Sequence, residues 1–469
     1  MNPSMNRTAL PESAAAQGLA PLTQALRSGA VTALSLAQAC LARIDALEPK
    51  LQAFTHLDPE RSLKHARAID QLRAAGVDLG PLMGVPVAVK DLFSVDGMPT
   101  HAGSHLDVQD LVPPQGSFVG MLHRAGCVLL GKTRTTEFAL GGFNMNRPIP
   151  WNPCDARQPR MTGGSSHGSA VAMAAGLAGF TVGSDTGGSV RQPAALCGVV
   201  GYKATTTHWP RDGVFPLSPL LDSVGIFTRS VQDAAWVEAA LAGRALQTPP
   251  AVAMLTLALP GAHFMNQIDP IVAACFAQAL QRLRKAGANI VEIEVPQAAE
   301  IDAVFRSLVP ADLLAFLGRE RVKQQFDRLD KVAAQRMQAA LTLSADDYVQ
   351  MATRQKVLER MIRERSRGVD AWLTPTVPVL PSPTADFKTV EAIAAWNRLG
   401  TQNTRPANLF NQCGVSLPIQ HLGAELPVGL QLCASAGADE ALLQTAVAVE
   451  AVLGVPASAW VDGLWSLTG

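Results

Sequence analysis

The sequence predicts an α/β protein with a large mixed, mostly parallel central sheet that helices cover on both faces. Segments with strand-like alternation are separated along much of the chain by segments with helical periodicity, and this pattern favours parallel strand pairs. The chain has 469 residues, of which 48% are hydrophobic and 17% are charged. A chain of this length and composition can bury such a sheet on both sides.

The predicted elements follow from local patterns of apolar residues, caps and breakers. A helix is predicted to begin after Asp58, because this N-cap residue is followed by Pro59 at the first helical position and the acidic Glu60. Further helices are predicted at residues 36–47, 118–125, 269–286, 348–365 and 439–453. Strands are predicted at residues 85–89, 127–130, 180–184, 251–259, 290–295, 371–375 and 428–433.

The chain is predicted to consist of a short arm and one long domain. Residues 1–17 are expected to form a flexible N-terminal arm, and residues 18–469 are expected to form a single domain. Within that domain, residues 298–368 are predicted to be mostly helical, which makes them the best candidate for an inserted segment or subdomain.

Charge and cysteine usage exclude several classes of protein. The formal net charge is zero, so the chain has no electrostatic footprint for nucleic acid or an anionic membrane surface. The seven cysteines are scattered without a C-x-x-C pair, which argues against disulfides and structural zinc and favours a reducing compartment. The longest apolar stretch, residues 170–182, is too short to span a bilayer. We therefore expect a cytoplasmic protein.

The stretch GVPVAVKD, residues 84–91, places a lysine on a predicted buried strand. Val85, Val87 and Val89 alternate along one face, so Lys90 lies on the other face. Lysine is rarely buried without a partner. Two interpretations remain open: Lys90 extends to water from the strand end, or it is desolvated, has a lowered pKa and acts as a base.

The stretch RMTGGSSHGSAVAMAAG, residues 160–176, is predicted to lead from a loop into an alanine-rich helix. Small residues there let backbone amides approach a reacting group, although a flexible loop would explain the composition as well. Residues 164–168 also fit G-x-S-x-G, the nucleophile elbow of α/β-hydrolases. That elbow requires a strand directly before it, and the preceding residues contain two prolines and no apolar alternation, so we reject this interpretation.

The stretch GSDTGGSVRQP, residues 183–193, indicates a nucleophile in a glycine-rich turn. Ser189 follows two glycines at the end of a predicted strand, where consecutive backbone N–H groups can point at a developing oxyanion. Asp185 and Arg191 are expected to pair and to hold this turn from both sides. Their role is predicted to be structural support.

Together with LDSVGIFTRS and a tail containing LPVGLQL, these stretches resemble the amidase signature family over roughly residues 20–455. The resemblance implies the amidase signature fold and a Ser–cis-Ser–Lys triad. In this chain Ser189 is the implied nucleophile, Ser165 the bridging serine and Lys90 the base. The peptide bond between Gly164 and Ser165 is implied to be cis.

The resemblance also implies that the reaction needs no metal and no organic cofactor. His101 and His105 have the spacing of two ligands on a helix turn, but no third ligand accompanies them. The oxyanion hole is implied to consist of backbone N–H groups of Thr186, Gly187, Gly188 and Ser189.

The implied substrate wall carries no charge, which favours a neutral, partly apolar substrate. Two positions depart from the family pattern: His167 stands where glycine is usual, and Ala204 where proline is usual. His167 either forms part of the substrate wall or turns outward without a role. The expected substrate-binding residues are Phe138, Leu140, Gly141, Gly142, Phe143, Met145 and His167.

The main functional hypothesis is a hydrolase that cleaves amide bonds of small neutral molecules, including aryl amides. The same attack on a carbamate would make the protein a urethanase. A further alternative is the glutaminase subunit of a tRNA-dependent amidotransferase, and a non-enzymatic alternative is an inactive binding protein of the family. The expected partner is a small amide or carbamate, and the expected assembly is a monomer or homodimer.

Overall fold

The computed structural model describes residues 18–456. The predicted arm at residues 1–17 lies outside the described residues. One mixed sheet of eleven strands runs through the described part, in the order β1-β3-β2-β4-β6-β5-β10-β11-β9-β7-β8. Its strands are β1 (Phe54–Leu57), β2 (Pro86–Lys90), β3 (Val128–Thr133), β4 (Phe180–Asp185), β5 (Val200–Lys203), β6 (Ser223–Thr228), β7 (Thr256–Pro260), β8 (Asn289–Ile293), β9 (Ala371–Pro375), β10 (Cys413–Pro418) and β11 (Gly429–Ala434).

Helices cover both faces of this sheet. In β2, Val87 and Val89 pack into one apolar cluster, whereas Ala88, on the opposite face, packs into another. The helices are α1 (Leu19–Ser28), α2 (Ala33–Leu51), α3 (Pro59–Ala74), α4 (Ser117–Arg124), α5 (His167–Ala174), α6 (Arg191–Cys197), α7 (Val231–Leu241), α8 (Pro270–Lys285), α9 (Ile301–Leu317), α10 (Arg319–Gln324), α11 (Lys331–Thr342), α12 (Ala345–Arg365), α13 (Val390–Gly400), α14 (Arg405–Leu409) and α15 (Asp439–Leu453).

The α/β class and the mixed sheet between helices are confirmed, but the expectation of a mostly parallel sheet is wrong. Parallel pairing is confined to β2 with β3 and β4, and to β7 with β8 and β9. The strands between these groups pair antiparallel. The reason lies in the connections: neither β5 and β6 nor β10 and β11 are joined through an α-helix, and a parallel pair needs such a crossover.

Most predicted elements are present, with shifted ends. Asp58 caps α3 by accepting a hydrogen bond from the N–H of Arg61, and Pro59 is the first helical residue, as predicted. The block predicted at 298–368 is helical and contains α9 to α12. The strand predicted at 251–259 begins only at Thr256, because Val252–Met254 forms a 3-10 turn. Strands β1, β5, β6 and β10 were not predicted.

The fold brings the chemically interesting stretches to one edge of the sheet. Strands β2 and β4 are parallel neighbours, so Lys90 and Asp185, their last residues, end at the same edge. Helix α5 lies against β4, where the hydroxyl of Ser169 donates to the carbonyl oxygen of Val182 at 2.9 Å. Among the described residues, no helix combines the length and apolar character needed to cross a membrane.

Candidate active site

Lys90 is fully buried at the end of β2, and its amine contacts hydroxyl groups. Its Nζ donates hydrogen bonds to Ser165 Oγ at 2.6 Å and to Ser184 Oγ at 2.9 Å. Burial lowers the pKa of Lys90 from 10.5 to about 7, although the negative charges of Asp222 and Asp185 act in the opposite direction. Of the two open interpretations, extension to water is therefore wrong.

Ser165 lies in the loop before α5. The peptide bond between Gly164 and Ser165 is cis, as the resemblance implies. The N–H of Gly164 donates to Gln192 Oε1 at 3.1 Å, and the carbonyl oxygen of Ser165 accepts from the N–H of Thr136 at 3.2 Å. These contacts fix the loop beside Lys90.

Ser189 lies in the turn between β4 and α6. Its carbonyl oxygen accepts a hydrogen bond from the N–H of Ser166 at 3.2 Å, so the Ser165 loop and the Ser189 turn are in direct contact. Two glycines are required before it. A Cβ on Gly188, whose φ is +118°, would lie 2.0 Å from Thr404 Oγ1, and one on Gly187 would lie 2.5 Å from Phe305 Cζ.

Asp185 and Arg191 pair as predicted and are both fully buried. Arg191 donates through Nη2 to Asp185 Oδ1 at 2.9 Å and through Nε to Oδ2 at 3.1 Å. Burial alone would raise the pKa of Asp185, but the Arg191 guanidinium outweighs it and holds this pKa well below its usual range. Asp185 also accepts from the N–H groups of Gly188 and Val190. The ion pair therefore fixes the turn that carries Ser189.

The same contacts bear on the implied oxyanion hole. The N–H of Gly188 donates to Asp185 at 2.9 Å and is therefore engaged inside the turn. Thr186, Gly187 and Ser189 line a small cavity at the site. The Thr186 hydroxyl donates to Asp222 Oδ1 at 2.5 Å. Burial raises the pKa of Asp222, although this hydrogen bond acts in the opposite direction.

Only part of the expected substrate wall lines the cavity at Ser189. Leu140, Gly141 and Gly142 do so. Phe138 instead stacks on Phe215, with ring centroids 5.7 Å apart. The other two residues lie behind the wall: Phe143 packs in an apolar cluster with Met161 and Trp396, and Met145 donates its N–H to Asp330 at 2.9 Å.

His167 is the first residue of α5 and is fully buried. The alternative in which it turns outward is therefore wrong. Burial lowers the pKa of His167 to about 3, and the positive charges of Arg134 and Lys90 act in the same direction. The ring is therefore neutral at pH 7. It is absent from the lining of the cavity at Ser189.

Several residues at the site were not predicted to belong to it. Ser184 and Gln192 lie within the stretch GSDTGGSVRQP, and Asp222 lies within LDSVGIFTRS, so the motifs contained a signal for them. Arg336, Asn397 and Arg405 also line the cavity at Ser189, but they come from distant helices without any motif. Among residues 18–456, no group of three His, Cys, Asp or Glu side chains could hold a metal ion.

The model of the family described as Amidase matches residues 35–443. The chain belongs to the amidase family. It is 38% identical over 452 residues to the 2-amino-5-chloromuconic acid deaminase of Comamonas testosteroni, covering 94% of this chain and 97% of that protein. It is 35% identical to the A-type subunit of the glutamyl-tRNA(Gln) amidotransferase of Chloroflexus aggregans, covering 87% and 90% of the two chains.

Solved amidase structures share this fold. One crystal structure of an amidase superposes with a TM-score of 0.84 at 31% identity, covering 93% of this chain and all of that one. The peptide amidase from Stenotrophomonas maltophilia gives a TM-score of 0.74 at 27% identity, covering 93% and 96%. As an amidase, this protein is an amidohydrolase that acts on C–N bonds, as predicted.

We predict that the Asp185–Arg191 pair contributes strongly to stability. Arg191→Met leaves the Asp185 carboxylate buried without its cation, which costs about 3–5 kcal/mol. The matched control is Arg367→Met, because Arg367 pairs with Glu364 on the surface, where such a pair is worth about 0–1 kcal/mol. Urea unfolding midpoints should fall clearly for Arg191→Met and stay near wild type for Arg367→Met. Equal midpoints for the two variants would contradict the prediction.

Proposed function

We propose that this amidase hydrolyses amide bonds of small molecules through an acyl-enzyme on Ser189, with Ser165 and Lys90 as its proton relay. The observation that carries the proposal is the 2.6 Å hydrogen bond between Lys90 Nζ and Ser165 Oγ. It joins a buried amine to a loop that contacts the turn of Ser189. A nucleophile, a bridging hydroxyl and a base therefore lie in sequence at one edge of the sheet.

The protonation state of Lys90 supports its role as the base. With a pKa of about 7, a substantial share of the amine is neutral at pH 7 and has a free lone pair. Such an amine can donate one N–H to Ser184 and accept the proton of Ser165. Ser184 is then a positioning residue, since it holds the amine in place without touching the substrate.

The proposed reaction has two steps. Ser189 Oγ attacks the carbonyl carbon, its proton passes to Ser165 Oγ, and the proton of Ser165 passes to Lys90 Nζ. Lys90 returns a proton through Ser165 to the leaving nitrogen, the C–N bond breaks, and an ester remains on Ser189. Water, activated by the same relay, then hydrolyses that ester.

The oxyanion hole in this proposal uses fewer donors than the resemblance implies. Because the N–H of Gly188 is engaged by Asp185, the candidates are the N–H groups of Thr186, Gly187 and Ser189. The hydrogen bond from Thr186 to Asp222 holds the start of this turn. Preorganised donors of this kind stabilise the tetrahedral intermediate.

A second candidate function is the release of ammonia from glutamine within a multi-chain amidotransferase. The similarity to the glutamyl-tRNA(Gln) amidotransferase chain of Chloroflexus aggregans supports it. Carbamate cleavage follows from the same chemistry, because only the atom beside the carbonyl differs. Purified protein should be assayed on anilides, primary amides, carbamates and glutamine. Glutaminase activity that appears only with added partner chains would favour the amidotransferase.

We also propose a cytoplasmic location and a single domain for residues 18–456. All seven cysteines are free thiols, which fits a reducing compartment. One continuous sheet takes strands from both halves of the chain, which supports a single domain. The proposed assembly is a monomer or homodimer.

We predict that Ser189→Ala and Lys90→Met each lower kcat on a hydrolysed amide by at least about 10³-fold, since relay members act as a unit. Ser165→Ala should retain more activity, because water can replace the bridging hydroxyl. The control is Ser28→Ala, a change on the exposed surface at the end of α1. A fluorophosphonate probe should label wild type and Ser28→Ala but not Ser189→Ala. Labelling of Ser189→Ala, or full turnover by Lys90→Met, would contradict the mechanism.

We predict that kcat/KM rises with pH through about 7, where Lys90 loses its proton. The Asp222 carboxylate raises the pKa of Lys90. Asp222→Asn removes that charge, so the pKa falls and the rising limb moves to lower pH. The control is Asp212→Asn, which removes an exposed carboxylate that accepts from Ser117. A limb that stays in place or moves to higher pH in Asp222→Asn would contradict the assignment of the base.

A further inference from the structure

The cavity at Ser189 opens into a larger one with a strong excess of positive charge. The larger cavity has a volume of about 430 Å³, and the two share Leu140, Phe305, Val309, Arg336 and Arg405 in their walls. Four arginines line the larger cavity, against two carboxylates. Its ionisable residues are Asp302, Arg306, Arg336, Glu391, Arg398 and Arg405. Such a cavity attracts anions and disfavours cations.

Arg336, on α11, is a half-buried cation that lines the small cavity together with Ser189. Its guanidinium lies beside the glycine wall of the site, since a Cβ built on Gly141 would be 3.5 Å from Arg336 Nη1. Within the described part of the chain, it forms no hydrogen bond and no ion pair with another side chain. Burial and the charge of Arg306 lower its pKa to about 10, so it stays charged at pH 7.

Two further donors face the same space. Asn397, on α13, is 1% exposed. Its Oδ1 accepts from the N–H of Gly142 at 3.2 Å, whereas its Nδ2 has no hydrogen-bond partner among the described residues. Arg405 is held by Asp302 at 2.7 Å and by the ring of Phe305, but its buried Nε has no partner among residues 18–456. Buried donors without partners are costly, so a ligand that accepts from them would bind favourably.

We propose that the substrate carries a carboxylate, which Arg336 binds with help from Asn397 and Arg405. This inference rests on the proposed function and adds the substrate class to it. A carboxylate accepts two parallel hydrogen bonds from one guanidinium and has further lone pairs for an amide N–H. The scissile carbonyl lies over Ser189, and the acidic end of the molecule lies in the larger cavity.

The proposal reverses the expectation of a neutral substrate. That expectation depended on residues 138–145, which include no charged side chain. The positive charges come from α11 and α14, which are distant in sequence from that segment. A compact acid with an amide nitrogen, such as the monoamide of a dicarboxylic acid, has the required chemistry.

The test compares acidic and neutral amides of the same shape. Monoamides of succinic, glutaric and adipic acids are matched with amides in which an isopropyl group replaces the carboxyl group. At the best chain length, wild type should show a kcat/KM about ten- to a hundredfold higher for the acid, the range of a charge-assisted hydrogen bond. Arg336→Met should lower this acid-to-neutral ratio at least tenfold, and Arg336→Lys should lower it less.

The control variant is Arg363→Met, which removes an exposed arginine from the neighbouring helix α12 and should keep the wild-type ratio. Because the ratio is measured within one variant, a partial loss of folded protein does not affect it. Inhibition of wild type by succinate, glutarate or adipate, stronger than by the matching alcohols, provides a test without any variant.

The outcomes separate the two proposals. Efficient hydrolysis of neutral amides with no preference for the acids, or an unchanged ratio in Arg336→Met, overturns the carboxylate site and leaves the catalytic mechanism standing. Absence of turnover on every amide together with absence of probe labelling at Ser189 overturns the proposed function itself.

Discussion

The site depends on one constraint: a lysine amine is enclosed in the protein without a carboxylate in contact with it. Lys90 donates to two hydroxyl groups. The contrast with Lys132, on the adjacent strand β3, is instructive, because Lys132 is equally buried but lies 3.0 Å from the carboxylate of Asp91. An ion pair favours the charged amine, whereas hydroxyl partners do not compensate fully for burial. The choice of partner therefore makes Lys90 the better candidate for a base.

The sheet topology places this amine where chemistry can use it. Two parallel neighbours, β2 and β4, end at the same edge, and the chain leaves β4 through a turn that the Asp185–Arg191 pair holds rigidly. Asp185 serves three purposes at once: it neutralises Arg191, accepts backbone N–H groups of the turn and adds negative charge near Lys90. The support of the nucleophile and the pKa of the base are thus linked through one buried carboxylate.

Sequence could predict those parts of the site that lie in continuous stretches. Lys90, Ser165, Ser189 and the Asp185–Arg191 pair all belong to short segments whose residue types carry their own chemistry. The arginines of the cavity could not be predicted, because only the packing of α11 and α14 beside the glycine wall brings them there. The strand directions failed for a similar reason, since pairing depends on how the connections run. The burial of His167 depends on the packing of α5 and has no local signal.

The most direct measurement of the central claim is the titration of Lys90 by NMR on protein labelled with ¹³C and ¹⁵N in lysine. Lys90→Met assigns the resonance by its loss, and Lys203→Met separates it from another buried lysine with a lowered pKa. The account predicts a Lys90 midpoint near pH 7. A midpoint near 10.4, the value of a free lysine, would mean that the amine is charged at neutral pH and cannot serve as the base.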